Sequence, residues 1–129
     1  MTKTEARWAF LQAFSRLVQY AEAHHLPFIV TCFNRSPDEQ RRLVAAGKSK
    51  VKHSQHQEWL AMDLALVNPD GELTWEHTFG DGYEALGLYW MQLSIHARWG
   101  GTFGRTPDEI GWDPYHFEFR RDVDKENGS

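Results

Sequence analysis

Apolar residues recur at helical spacing near the start of the chain, at Trp8, Leu11, Phe14, Leu17, Val18 and Ala21. Thr2 and Glu5 fit an S/T-x-x-E capping box ahead of them, so the pattern predicts a helix running to about His24, where His24, His25 and Pro27 break it. Phe28 to Phe33 is a short apolar, β-branched run and reads as a buried strand. Ser36-Pro37-Asp38-Glu39 opens a second helix: Ser36 caps, Pro37 suits the first helical position and Glu39 completes the box. Gly47 is its natural end. Lys48 to Gln57 is polar and without period, a loop. From Leu60 the chain alternates, with Leu60, Met62, Leu64 and Leu66 facing one way and Ala61, Asp63 and Ala65 the other. This strand ends in a turn at Asn68-Pro69-Asp70-Gly71. Asp81 and Glu84 open a third helix, carried by Tyr83, Leu86, Trp90, Leu93 and Ala97 to about Trp99 and stopped by Gly100-Gly101. His116-Phe117-Glu118-Phe119 alternates again, His116 and Glu118 on one face and the two Phe on the other. The charged tail from Arg120 to Ser129 is expected to fray. Helix and strand alternate with the helices segregated on one face, which favours α+β: one domain over residues 1–129, a small mainly antiparallel sheet packed against helices, with any site on the open sheet face.

Composition supports a real core. The 129 residues are 41% apolar and 14% aromatic, which excludes disorder as a description of the whole chain. Trp8, Phe10, Phe14, Trp90 and Trp99 are assigned to that core. Fourteen basic against eighteen acidic residues give a net charge of −4, which argues against a dedicated nucleic-acid binder. The lone Cys32 excludes an internal disulfide and a thiolate zinc cage, and reads as a small buried hydrophobe. No apolar run approaches the roughly 18 residues of a membrane span. The start lacks the apolar stretch of a secretory signal, so the chain is expected to be made and folded in a cytoplasm.

The histidines are the first candidates for chemistry. His56 ends the polar loop, and Asp63 follows on the small-residue face of the next strand. A carboxylate in an otherwise apolar strand is costly without a partner. A metal is one such partner, since zinc takes imidazole nitrogen and carboxylate oxygen. Asp113-Pro114-Tyr115-His116 offers a third ligand and a second carboxylate. On this reading His56, Asp63 and His116 hold zinc. Asp113 takes a proton from a water that the metal activates and returns it to a leaving amine. The plainer reading makes these residues surface, capping or turn positions, and spacing alone leaves both open. His24, His25, His53, His77 and His96 are assigned to surface or structural roles.

Other signals are weaker. Ala46-Gly47-Lys48-Ser49 is like the end of a phosphate-binding loop, but Arg42 stands where its first glycine is required and a helix precedes it. Ser54, His56 and Asp63 could be imagined as a hydrolase triad, yet no elbow glycines flank the serine. Lys48, Lys50, Lys52 and His53 form a small basic run whose chemistry suits nucleic acid or the phosphates and carboxylates of a cell wall, with a solvated loop the plainer reading.

Ser54-x-His56-x-x-Trp59-x-Ala61-x-Asp63 resembles the S-x-H-x-x-G-x-A-x-D motif of the LAS-type zinc peptidases that cut peptidoglycan stem peptides. That group includes D-alanyl-D-alanine carboxypeptidases and the L-alanyl-D-glutamate endopeptidases of phage lysis. Asp113-x-x-His116 is similar to the group's acidic residue and third ligand. Trp99-Gly100-Gly101, Phe117-Glu118, Asn34-Arg35-Ser36-Pro37 with Gln40, and Gly47-x-Ser49 extend the likeness over about residues 28 to 119. The resemblance implies a Zn2+ cofactor on His56, Asp63 and His116, with Asp113 as catalytic acid and base. It also implies that Arg35 steadies the scissile carbonyl, as a fixed cationic fork suits, and that Ser54 bonds substrate or orients its loop. Trp59 replaces the family glycine, so it either projects outward or fills part of the cleft, where it would narrow access or form a stacking wall.

The function so implied is zinc-dependent cleavage of a stem-peptide bond, preferentially as an L-alanyl-D-glutamate endopeptidase of the phage or prophage endolysin branch. The expected partner is the peptidoglycan stem peptide, with no nucleic acid and no membrane insertion. The chain is expected to be a monomer that reaches the wall or periplasm after release. The alternatives are a D,D-carboxypeptidase of the same group, a non-catalytic wall-binding or virion module, and a metal-dependent nuclease, against which the acidic balance counts.

Overall fold

The computed structural model describes residues 1–33, 45, 60–76, 81–102 and 113–121. The N-terminal capping box closes both ways. Thr2 Oγ1 accepts from the Glu5 amide at 3.1 Å, and Glu5 Oε1 accepts from the Thr2 amide at 2.9 Å. Helix α1, Lys3–Ala23, follows. It ends with His25 in a left-handed conformation (φ 57°), and the Leu26 amide returns to the Ala21 carbonyl at 2.8 Å. The buried stripe of α1 is Ala6, Phe10, Ala13, Leu17 and Ala21. The helical period is as expected, but the stripe is rotated from the one the largest side chains suggest. Trp8 is 63% exposed and Leu11 and Val18 also face outward, so Trp8 is not in the core. Small Ala6 and Ala13 let the helix sit close to the sheet, and a Trp at either position would hold it off.

Five antiparallel strands form the sheet: β1 Phe28–Cys32, β2 Ala61–Val67, β3 Leu73–Thr74, β4 Ala97–Trp99 and β5 His116–Phe119. Their order is β1-β2-β5-β4, and β3 also pairs with β2, at Leu66↔Thr74. β1 is half-exposed in alternation, with Ile29 at 47%, instead of fully buried as its apolar run suggests. Its described partner is β2 alone, on one side, and Cys32 is half-buried. Leu60, Met62, Leu64 and Leu66 of β2 and its approach enter the core cluster as expected, while Ala61 and Ala65 on the other face are buried too, and the turn after the strand closes with the Gly71 amide on the Asn68 carbonyl at 2.8 Å. The short strand β3 beyond that turn carries too few residues to show a period in the sequence. Apart from Ala45, which is helical, the expected helix between Ser36 and Gly47 lies outside the described residues.

Helix α2, Gly82–Leu93, is capped by Asp81, whose side chain accepts from the Glu84 amide at 3.2 Å. It stops six residues before the expected end, and Ala97–Trp99 is a strand. The i, i+4 spacing of Leu93 and Ala97 continues the helical pattern, but local and tertiary bonds override it. Ser94 Oγ accepts from the His96 amide at 3.0 Å, its carbonyl accepts from the Ala97 amide at 3.1 Å, and Ala97 and Trp99 pair with Phe119 and Phe117.

One face of the sheet, Leu60, Met62, Leu64, Leu66, Phe117, Phe119, Ala97 and Trp99, packs on α1 and α2. Phe10 and Trp90 meet there edge to face at 5.5 Å. Trp99 lies against Gly87 of α2, where a Cβ would strike the indole ring. The opposite face carries Asp63, His116 and Glu118.

Candidate metal centre

Asp63 and His116 reach each other because of register. They are direct partners across the β2–β5 ladder, so their side chains leave the same face. Asp113 is brought in by the turn before β5. The His116 amide donates to the Asp113 carbonyl at 3.2 Å, and the Leu64 amide donates to the Tyr115 carbonyl at 2.9 Å. The buried Trp99 indole donates to the Pro114 carbonyl at 2.7 Å. Gly100 packs so tightly on the Asp113 backbone that any Cβ there would collide with its carbonyl. Turn, strand and glycine thus fix Asp113 from three sides.

One ligand atom each from Asp63, Asp113 and His116 lies within 4.8 Å of the others. An imidazole nitrogen and carboxylate oxygens are a donor set that zinc accepts. His116 is 8% exposed, with Nδ1 at 3.1 Å from Asp63 Oδ1 and Nε2 at 2.6 Å from Glu118 Oε1. Burial opposes a charge on this ring, but hydrogen bonds and charge from the two carboxylates outweigh it and push its pKa up to about 10. Glu118 is drawn the other way: burial favours its neutral form, while His116 and Arg120 hold it below the usual carboxylate range.

No protein-family model matches the sequence, and a search of curated proteins finds no match. Solved structures do match. An L-Ala D-Glu endopeptidase of Serratia marcescens, ChiX, shares 26% identity at a TM-score of 0.67, covering 86% of this chain and 77% of its own. The LD-carboxypeptidase LdcB, described in connection with peptidoglycan recognition, shares 14% identity at 0.61, covering 86% of this chain and 57% of its own. The vancomycin-resistance D,D-pentapeptidase VanY, as an E175A mutant in complex with Zn(II), shares 13% at 0.58, covering 92% and 74%. This chain has the fold of the LAS-type zinc peptidases.

On that fold the structure brings together Asp63, Asp113 and His116. His56, Ser54, Trp59 and Arg35 lie outside the described residues. Sequence reasoning placed Glu118 on the His116 face of β5 and within the family likeness but gave it no role in the site. Nor did it find Arg120, whose Nε donates to Glu118 Oε2 at 2.6 Å. The signal for Glu118 was a His-x-Glu spacing within a strand. Arg120 had no comparable signal.

Proposed function

We propose that this chain is a zinc peptidase of peptidoglycan that hydrolyses the L-alanyl-D-glutamate bond of the stem peptide. The observation that carries the reading is the convergence of Asp63, Asp113 and His116 on one sheet face of a fold shared with such peptidases. His56, Asp63 and His116 would hold the metal. When bound, zinc polarises the scissile carbonyl and makes a water acidic enough to lose a proton near neutral pH. The Asp113 carboxylate takes that proton and later delivers it to the leaving amine. The turn anchors the Asp113 backbone, so the carboxylate makes both transfers from one fixed point of the chain. Arg35 steadies the oxyanion, and Ser54 and Trp59 contact the stem peptide.

The endopeptidase specificity is favoured over carboxypeptidase action because the 26% neighbour is an endopeptidase, whereas the LD-carboxypeptidase and the D,D-pentapeptidase share 14% and 13%. The endolysin setting and the monomeric state belong to the same proposal and rest on the sequence resemblance. Mass spectrometry of purified peptidoglycan digested with and without a chelator tests the reading. Chelator-sensitive stem peptides cut after L-alanine are the expected products. Loss of terminal D-alanine alone would move the specificity to carboxypeptidase. Zinc-loaded protein that binds stem peptide and releases no fragment would make the chain a binding module.

A further inference from the structure

Glu118 is 5% exposed, and a buried carboxylate is tolerated only with partners. Each of its oxygens has one. Oε1 lies 2.6 Å from His116 Nε2, and Oε2 accepts from Arg120 Nε at 2.6 Å. Arg120 is in turn tied down by its backbone. Its amide donates to the His96 carbonyl at 2.9 Å, and its carbonyl lies 2.8 Å from His96 Nδ1. The Glu118 carbonyl receives the Trp90 indole N–H at 3.2 Å, which fixes the strand from the core side.

The imidazole of His116 is therefore clamped at both nitrogens by carboxylates that stand in different settings. Nδ1 faces Asp63, within the cluster that includes Asp113. Nε2 faces Glu118, which stands outside that cluster. With a carboxylate at each nitrogen, a cation seated in the cluster would take the Nδ1 position beside Asp63, while the Glu118 carboxylate keeps the ring hydrogen on Nε2.

We infer that Glu118, anchored by Arg120, is the positioning residue that fixes the tautomer and ring orientation of His116 for metal binding through Nδ1. The inference rests on the zinc reading proposed above, and it assigns Glu118 no contact with substrate. A plain structural ion pair would stabilise the fold without governing which nitrogen of His116 meets the metal.

The test uses the full-length chain, with zinc itself as the probe. Zinc affinity is measured by competition with a chromophoric chelator for wild type, Glu118→Gln and Glu118→Ala, each first shown to fold by circular dichroism. Both variants are expected to lose about ten- to a hundredfold in affinity, with Glu118→Gln, which keeps an acceptor, losing less. A long-range 1H–15N spectrum of the zinc-loaded wild type is expected to show His116 protonated on Nε2. Folded variants that bind zinc within about twofold of wild type overturn the inference, as does His116 found protonated on Nδ1. A wild-type chain that takes up no zinc brings down the metal reading itself, an outcome distinct from both.

Discussion

The two faces of β5 are equally buried and held in unlike ways. Phe117 and Phe119 on one face are 0% and 1% exposed, and His116 and Glu118 on the other are 8% and 5%. The Phe face meets rings: Phe119 lies edge-on to Phe10 at 5.7 Å, and Phe117 to Trp90 at 6.0 Å. These contacts are non-directional and many. The polar face is a series of single bonds, Asp63 to His116 to Glu118 to Arg120, in which every partner is a particular atom. Trimming the apolar face should cost stability in proportion to the volume removed. Trimming the polar face leaves a buried group unpaired, and the penalty falls on whatever that group was holding. The apolar face decides whether the strand is in place, and the polar face decides what the strand can do.

His116→Ala should break this comparison most severely. It removes a proposed ligand and the imidazole that Asp63 and Glu118 share. Zinc affinity should fall by more than the roughly hundredfold ceiling seen for outer groups, and release of stem peptides should drop to background. Zinc binding by equilibrium dialysis and fragment release by mass spectrometry check the two together, and activity surviving in this variant would remove His116 from the ligand set. Asp113→Ala comes next. As the acid and base it should lose about 10²- to 10⁴-fold in turnover while zinc stays bound, read as metal content after gel filtration. Loss of zinc as well would make Asp113 a ligand or a support, since its carboxylate lies within the same 4.8 Å cluster.

The same division explains what the sequence disclosed. Strand β2 was legible because bulky Leu60, Met62, Leu64 and Leu66 alternate with Ala61, Asp63 and Ala65 in the sequence, and β5 because even four residues suffice when the alternation is aromatic against polar. Asp63 stood out as a charge among alanines, and register then placed it opposite His116. Where the reading failed, a non-local contact had overruled a local pattern. Ala97 continues a helical spacing, yet pairing with Phe119 makes it a strand residue. Trp8 is large and in phase with Leu11, yet the sheet accepts the side of α1 that carries the small Ala6 and Ala13. Arg120 begins a charged tail, and only the fold sets its guanidinium on a buried carboxylate.

Phe119→Ala attacks the other face. It empties a space bounded by Phe10 and Trp90 and should cost about 3–5 kcal/mol of stability, measured by urea unfolding of the metal-free chain. If the two faces are as separate as their contacts suggest, the folded fraction should still bind zinc within about twofold of wild type. A large fall in affinity would mean that the core sets the ligand geometry directly.

The Trp90 indole is where the faces touch. It packs on Phe117 and Phe119, and its N–H donates to the carbonyl of Glu118 itself. Trp90→Phe keeps much of the ring and deletes that one bond, leaving a buried carbonyl without its indole donor. The expected cost is about 1–3 kcal/mol, less than for Phe119→Ala. Because the Glu118 side chain keeps its own bonds to His116 and Arg120, zinc affinity should change by less than the roughly tenfold lower end of outer-group effects. Chelator competition on the folded variant decides between two accounts. A shift under that limit means the polar series is self-supporting once the strand is formed. A shift of that size or more means the backbone of β5 transmits core packing to the metal, and the two faces would then be one device.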